Sequence, residues 1–151
     1  VYKRQMMNGA VTIGTLDGAN VEMYERLGDE NMFLFGLHAD EVVRLKREGY
    51  TPQKLYARDE NLRCVIDKLK QGFSDGNTYE DLASRLLLND EYMLLQDFAS
   101  YCAAEQRMAE TYARSEDWNR KSLLNIARSG IFAADRAVAQ YADTIWHVEH
   151  K

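Results

Sequence analysis

The chain has 151 residues, a formal net charge of −5 at pH 7, 46% hydrophobic residues and 28% charged residues. These are the values of an ordinary globular protein, and they argue against disordered, collagen-like and coiled-coil classes. The mild acidity disfavours nucleic acid as the main partner, because phosphate backbones attract basic surfaces. The sequence contains no apolar run of membrane-spanning length, so no membrane association is expected. A single proline favours long helices, since proline interrupts helix interiors.

The N-terminal part of the chain carries strand signals. The β-branched triplet at residues 11–13 predicts a short buried strand, and residues 32–36 predict a second one. Strand, helix and strand in this order predict a βαβ unit with parallel strands. Two strands do not make a stable sheet alone, so further strands are expected from elsewhere.

A tight turn and a short helix are predicted between the two strands. Asp17-Gly18 is a turn dipeptide, and Asn20 is expected to cap a helix over residues 21–27. Gly28 occupies the position where a helix often ends, because glycine adopts the left-handed conformation without strain.

From residue 39 onward the apolar residues follow a helical period. Leu62, Val65, Ile66 and Leu69 recur at the spacing of one buried helix face, and Gly72 ends that helix. The helix-dominated remainder and the two strands together predict an α/β fold. In chain order the predicted helices of this part begin near residues 40, 52, 79, 92, 115 and 134.

The cysteines and histidines show no metal-binding pattern. Cys64 and Cys102 lack a CxxC spacing and lie among apolar helical residues, which predicts buried, reduced thiols and a cytoplasmic location. His38 is remote from His147 and His150, which are expected to be exposed tail residues, so no metal site is predicted. The sequence also has no G-x-S-x-G elbow, no Walker A motif and no G-x-G-x-x-G.

Residues 8–22 are the one segment with a chemical character, since they hold three glycines, two threonines, two asparagines and two acids. A strand that turns tightly into a helix offers free N–H groups to an anion. The alternative is a strand, a turn and a capped helix without a ligand, and spacing alone leaves both interpretations open.

The same segment resembles the glycogen (α-glucan) phosphorylases, and the resemblance continues in order to about residue 149. It is most specific in its first blocks, because no common fold requires that string of residues. The matching blocks are residues 6–10 (MMNGA), 12–23 (TIGTLDGANVEM), 31–36 (NMFLFG), 47–50 (REGY), 125–130 (NIARSG), 135–136 (DR), 139–142 (AQYA) and 145–146 (IW).

The resemblance implies an enzyme that uses pyridoxal 5'-phosphate and inorganic phosphate to release glucose 1-phosphate from α-1,4-glucan ends. It implies a two-domain glycosyltransferase-B architecture and a homodimeric full-length protein. Residues 6–151 would be the end of the Rossmann-like C-terminal domain, as an incomplete domain. The alternatives are a non-catalytic helical interaction module derived from such a tail, and a nucleotide-sugar glycosyltransferase of the same fold.

The position of the cofactor lysine departs from the family pattern. Alignment on residues 6–8 puts Arg4 where the family has the Schiff-base lysine, and Lys3 lies one residue too early. Arginine cannot form this linkage, because its guanidinium stays protonated and delocalised. We therefore expect residues 1–5 to be a junction foreign to the family, and we expect the 151-residue chain alone to be inactive.

No catalytic side chain is assigned, since the resemblance gives the acid–base role to the cofactor phosphate. Asp17 could orient a cationic group, with a plain turn residue as the alternative. Trp118 and Trp146 are expected to be packing anchors rather than sugar platforms. The residues expected to support the cofactor or the substrate are Asn8, Gly9, Thr15, Asp17, Gly18 and Asn20.

Overall fold

The computed structural model describes residues 2–148, with side chains from residue 3. Two short strands, β1 (Ile13–Gly14) and β2 (Phe33–Leu34), are accompanied by a majority of helical residues. The described helices are α1 (Tyr2–Met7), α2 (Ala19–Leu27), α3 (Ala39–Glu48), α4 (Pro52–Arg58), α5 (Glu60–Gln71), α6 (Glu80–Leu88), α7 (Leu94–Tyr112), α8 (Ser115–Arg128) and α9 (Ala134–Tyr141). Short 3₁₀ turns cover Asp29–Asn31 and Ser129–Phe132, and a π-helical turn covers Ala142–Trp146.

The chain divides into two compact units, which are described separately. The terminal unit comprises residues 1–34 and 106–151, and the central unit comprises residues 35–105. No helix within residues 2–148 combines the length and the apolar character needed to cross a lipid bilayer.

The terminal unit contains the predicted parallel strand pair. β1 lies beside β2 in the register Ile13 to Phe33 and Gly14 to Leu34, and Phe33 N donates a 2.9 Å hydrogen bond to Thr12 O. The connecting helix is α2, so the predicted βαβ order and the parallel direction are confirmed. The strands are shorter than predicted, because only two residues of each lie in the ladder.

Methionine and leucine side chains form the core of the terminal unit. The four residues in its centre are at most 2% exposed, and three elements contribute to them: α1, α2 and the segment before β2. Burying each such side chain stabilises the fold by about 1.5–3 kcal/mol before the loss of conformational entropy is counted. The core residues are Met6, Met23, Leu27 and Met32, with Tyr24, Leu34 and Phe132 packed against them.

The central unit has a core of its own between α5, α6 and α7. Leu62 and Ile66 of α5 are at most 2% exposed, which confirms the predicted i, i+4 face. Val65 is 46% exposed, so its assignment to that face was wrong. One turn of a helix presents only part of its circumference to a neighbour, and Val65 lies at the edge of that stripe. Ala83 and Leu95 complete this core.

The start of α2 differs from the prediction. The helix begins at Ala19 with Gly18 at the cap position, and Asn20 lies inside the first turn instead of capping it. Gly18 has φ +48° and ψ −128°, a conformation that L side chains rarely adopt, and this lets the helix begin early. The predicted end is confirmed, since Gly28 N donates a 2.8 Å hydrogen bond to Tyr24 O.

Two further expectations about burial were wrong. Cys64 and Cys102 are both free thiols and both exposed. Cys64 lies two positions from Leu62 and from Ile66, so it points away from the face that those residues bury. Trp118 is half-buried and makes an edge-to-face contact with Tyr112 at 5.0 Å between ring centroids. Trp146 is 58% exposed, so it does not anchor packing among the described residues.

Candidate functional site

The turn at residues 15–20, between β1 and α2, joins three of the predicted site residues. Thr15 Oγ1 donates a 3.0 Å hydrogen bond to Asp17 Oδ1. Asn20 Nδ2 donates to Thr15 O at 2.9 Å, and Asn20 N donates to Asp17 O at 3.0 Å. These bonds make the 15–20 turn a small, internally connected polar loop at the start of α2.

The same turn leaves one buried acceptor atom without a donor among the described residues. Asn20 Oδ1 is buried and accepts no hydrogen bond from any residue that the structure describes. A buried acceptor without a donor costs about 1–3 kcal/mol, so such an atom indicates a missing partner. The Asp17 side chain is exposed, and a Cβ added to Gly18 would meet no atom within 4 Å. The turn is therefore open on the side of these two residues.

Asn8 and Gly9 lie at the end of α1 and make other contacts. Asn8 Nδ2 donates a 2.8 Å hydrogen bond to Arg4 O. Gly9 has φ +78°, and a Cβ at this position would overlap Ser122 Oγ of α8. Asn8 therefore stabilises the last turn of α1, and Gly9 permits the close approach of the following segment to α8. Within the described part of the chain, neither residue forms a hydrogen bond with the 15–20 turn.

The residues near the expected cofactor position do not fit covalently bound pyridoxal phosphate. Arg4 is exposed on α1, and a guanidinium cannot form the imine that attaches this cofactor. Lys3 is already engaged, since its Nζ pairs with the Glu22 carboxylate and lies 4.5 Å from the centre of the Phe132 ring. No catalytic step through the cofactor is derived from these residues.

A cationic cleft of about 470 Å³ in the terminal unit was not predicted from the sequence. It lies between the 3₁₀ turn before β2, the C-terminal end of α7 and the length of α8. A signal for it existed: Arg114, Lys121 and Arg128 recur every seven residues, the spacing of one helix face. The cleft is lined by Glu30, Asn31, Thr111, Arg114, Asp117, Arg120, Lys121, Leu124 and Arg128.

Contacts to backbone carbonyls hold two of these cations in place. Arg128 Nη1 donates to Arg26 O at 2.8 Å and to Leu27 O at 3.1 Å, at the C-terminal end of α2. Lys121 Nζ donates to Glu30 O. Cations at a helix C-terminus are favoured, since the last carbonyls carry partial negative charge.

Asn125, in the same helix as Lys121 and Arg128, is a second unusual polar residue. It is completely buried, and its Nδ2 donates a 2.9 Å hydrogen bond to Lys121 O. Its Oδ1 accepts no hydrogen bond from the described residues. Asn125 belongs to the NIARSG block, so this block contributes to the interior of the terminal unit.

Comparison with known proteins identifies the class of protein. The carbohydrate phosphorylase family matches residues 3–148, so the chain belongs to this family. More particularly, it is similar to glycogen phosphorylases, which confirms the resemblance found in the motif blocks. It is 43% identical over 147 residues to the muscle form of glycogen phosphorylase from Bos taurus and 44% identical over 146 residues to glycogen phosphorylase from Synechocystis.

These alignments cover most of this chain and a small share of the relatives. They include 95% of the chain but only 18% of the Bos taurus protein and 17% of the Synechocystis protein. The muscle form from Homo sapiens shows the same proportions, at 41% identity. The chain thus spans less than a fifth of the length of the curated relatives it matches.

Proposed function

We propose that the protein containing this chain is an α-glucan phosphorylase. The bond between C1 of the terminal glucosyl unit and O4 of the next unit breaks, a bond forms between C1 and an oxygen of hydrogen phosphate, and the proton of hydrogen phosphate passes, in the net reaction, to the released O4. The products are glucose 1-phosphate and a glucan shortened by one unit. The observation that carries this proposal is the family match over residues 3–148, which includes the motif of residues 6–23.

The fold is compatible with this assignment. A parallel strand pair joined by a helix is the repeating unit of Rossmann-like domains. We propose that residues 6–151 form the end of the C-terminal domain of a glycosyltransferase-B fold, with further strands supplied by the rest of the protein. We also propose that the full-length protein is cytoplasmic and forms a homodimer.

Within that domain we propose that the 15–20 turn supports the active centre. Asp17 and Asn20 Oδ1 present acceptor oxygens, so they suit a cationic side chain or a hydroxyl group as partner. Asn8 and Gly9 would act through α1, whose position they determine. None of these residues is proposed to exchange a proton with the substrate.

Whether the full-length protein binds the cofactor covalently depends on the native residue at position 4. Pyridoxal phosphate is expected in the full-length protein when its native sequence has lysine where this chain has Arg4. Sequencing the genomic DNA upstream of the Met6 codon tests this. A native reading frame that encodes residues 1–5 as they stand would contradict both the foreign junction and the cofactor.

Activity is tested on the full-length gene product. It should release glucose 1-phosphate from an α-1,4-glucan only when inorganic phosphate is present, and the 151-residue chain should release none. Glucosyl transfer from a nucleotide sugar without any phosphorolysis would instead support the alternative glycosyltransferase. A folded full-length protein that is inactive in both assays would support the helical interaction module.

A further inference from the structure

We propose that the cationic cleft of the terminal unit binds a phosphate group, as inorganic phosphate or as the phosphoryl end of a sugar phosphate. This inference is independent of the proposed function, since it concerns binding and needs no turnover. It rests on the charge of the cleft, the orientation of its cationic side chains and its size.

The charge balance of the cleft is positive although the chain as a whole is acidic. Arg114 Nε forms a 2.6 Å ion pair with Asp117 Oδ2, so these two charges compensate each other. Glu30 is the remaining acid in the lining, against the three cations Arg120, Lys121 and Arg128. An excess of cations in a chain of net charge −5 indicates a local preference for anions.

The carbonyl contacts orient Lys121 and Arg128 without neutralising them. A backbone carbonyl carries no net charge, so both side chains keep a full positive charge after donating to Leu27 O or Glu30 O. An ammonium and a guanidinium also retain further N–H donors beyond those used here. Such fixed donors reduce the entropy that a ligand must overcome on binding.

Arg120 is the cation that the fold does not use. Its side chain is exposed and forms no hydrogen bond or ion pair with any residue in the described part of the chain. A guanidinium presents paired N–H groups that match two phosphate oxygens, and these charge-assisted bonds are stronger than neutral ones. Arg120 is therefore expected to make the main new contact with the ligand.

The size of the cleft suits a small ligand. A volume of about 470 Å³ lies within the range of small-molecule sites and exceeds what a single phosphate fills. Thr111 and Leu124 also line the space, so a sugar attached to the phosphate would meet both polar and apolar surface. The shared element of the two ligands is the phosphoryl dianion.

The test is a titration of the 151-residue chain with inorganic phosphate at constant ionic strength. Two-dimensional amide NMR spectra are recorded at each step of the titration. Inorganic phosphate should cause saturable shifts of the amides around Arg120 and Lys121. Arg120→Gln should weaken binding about tenfold, the loss expected for one charge-assisted contact. Arg58→Gln removes the same charge from an exposed arginine of the central unit and should leave the affinity unchanged.

Glucose 1-phosphate and glucose form the other arms of the titration. Tighter binding of glucose 1-phosphate than of phosphate identifies a sugar phosphate as the ligand, and equal affinities identify phosphate alone. Shifts that do not saturate, or equal weakening by Arg58→Gln and Arg120→Gln, would overturn the proposal, since both show non-specific attraction. Dispersed amide spectra of both variants establish that each is folded.

Discussion

The hydroxyl of Tyr50 donates a 2.7 Å hydrogen bond to Oδ2 of Asp90, a carboxylate that is only 6% exposed. The same carboxylate accepts hydrogen bonds from Leu94 N and Leu95 N, each at 2.8 Å, at the beginning of α7. Asp90 thus joins Tyr50, in the segment between α3 and α4, to the first turn of α7. The contact spans 40 residues of sequence and lies within the central unit.

Replacing Tyr50 by Phe removes the hydroxyl donor and leaves the buried carboxylate with its two backbone donors. Hydrogen bonds to charged groups contribute about 1.5–3 kcal/mol, so Tyr50→Phe should lower the free energy of unfolding by roughly that amount. Urea denaturation of the 151-residue chain measures it. Tyr92→Phe is the matched control, because Tyr92 is 78% exposed and should change stability by less than about 0.5 kcal/mol. Equal effects of the two substitutions would contradict the role of the Tyr50–Asp90 bond.

The same tyrosine predicts a loss of stability at alkaline pH. Burial, followed by the hydrogen bond to Asp90, raises the pKa of Tyr50 above its ordinary value. The folded state therefore keeps this proton at a pH where the unfolded state has lost it, and stability falls as pH rises above the ordinary tyrosine pKa of about 10. Denaturation midpoints between about pH 9 and 11 should fall less steeply in Tyr50→Phe than in the wild type. Parallel curves would show that Tyr50 does not cause the decline.

Gly9 should not tolerate a side chain. Gly9→Ala combines a positive φ of +78° with an overlap between the new Cβ and Ser122 Oγ. Backbone strain and overpacking each cost about 1–3 kcal/mol, so a combined loss of about 2–4 kcal/mol is expected by chemical denaturation. Gly130→Ala, where the Cβ meets no atom within 4 Å, should stay within about 0.5 kcal/mol of the wild type.

A double-mutant cycle separates the two costs at Gly9. Adding Ser122→Ala removes the overlapping oxygen but leaves the positive φ, so it should recover part of the loss, with a coupling of about 1 kcal/mol. Strict additivity would show that the close approach between α1 and α8 does not limit this position.

Replacing the carboxylate of Asp97 by an amide is expected to maintain or increase the stability of the fold at neutral pH. Its Oδ1 accepts a 3.0 Å hydrogen bond from Leu37 N, while burial and the charge of Asp90 raise the pKa of its carboxyl group. The folded state then binds a proton more readily than the unfolded state, so stability falls as pH rises through the window just above the ordinary aspartate pKa of about 3.9. Asp97→Asn keeps the acceptor oxygen without the charge.

The measurement is the free energy of unfolding from urea denaturation at several pH values between about pH 4 and 7. Asp97→Asn should show a smaller decline across this window than the wild type and should be at least as stable at pH 7. Asp97→Ala loses the acceptor for Leu37 N and should be destabilised at every pH. If Asp97→Asn behaves like Asp97→Ala, the charge of Asp97 does not cause the decline of stability with rising pH.

Local features were largely predictable from the sequence. The helix expected from residue 40 is α3, Ala39–Glu48, and it ends at Gly49 with φ +88° as the glycine position indicated. The parallel direction of β1 and β2 was expected from the strand–helix–strand order, because parallel neighbours need a crossover connection and a helix usually supplies it. These features depend on residues within one element or on adjacent elements.

The residues of the 15–20 turn were singled out from the sequence, but the contacts among them were not predicted. Thr15, Asp17 and Asn20 do meet in one turn, yet Asn20 reaches back to Thr15 O instead of capping α2. Gly9 was expected to support the cofactor or the substrate, and the structure shows its close approach to Ser122 across more than 100 residues. Whether these residues support a cofactor or a substrate stays a prediction for the full-length protein.

Taken by itself, the sequence determined the family, the βαβ order and most helix boundaries, since these depend on motif blocks, periodicity and glycine positions. Only the tertiary structure decided which side chains meet: Tyr50 with Asp90, Arg128 with the end of α2, and the cations around the cleft. It also decided that Cys64 and Cys102 are exposed. The physical reason is that hydrogen bonds and burial depend on distances in space, and packing brings together residues that no local pattern relates.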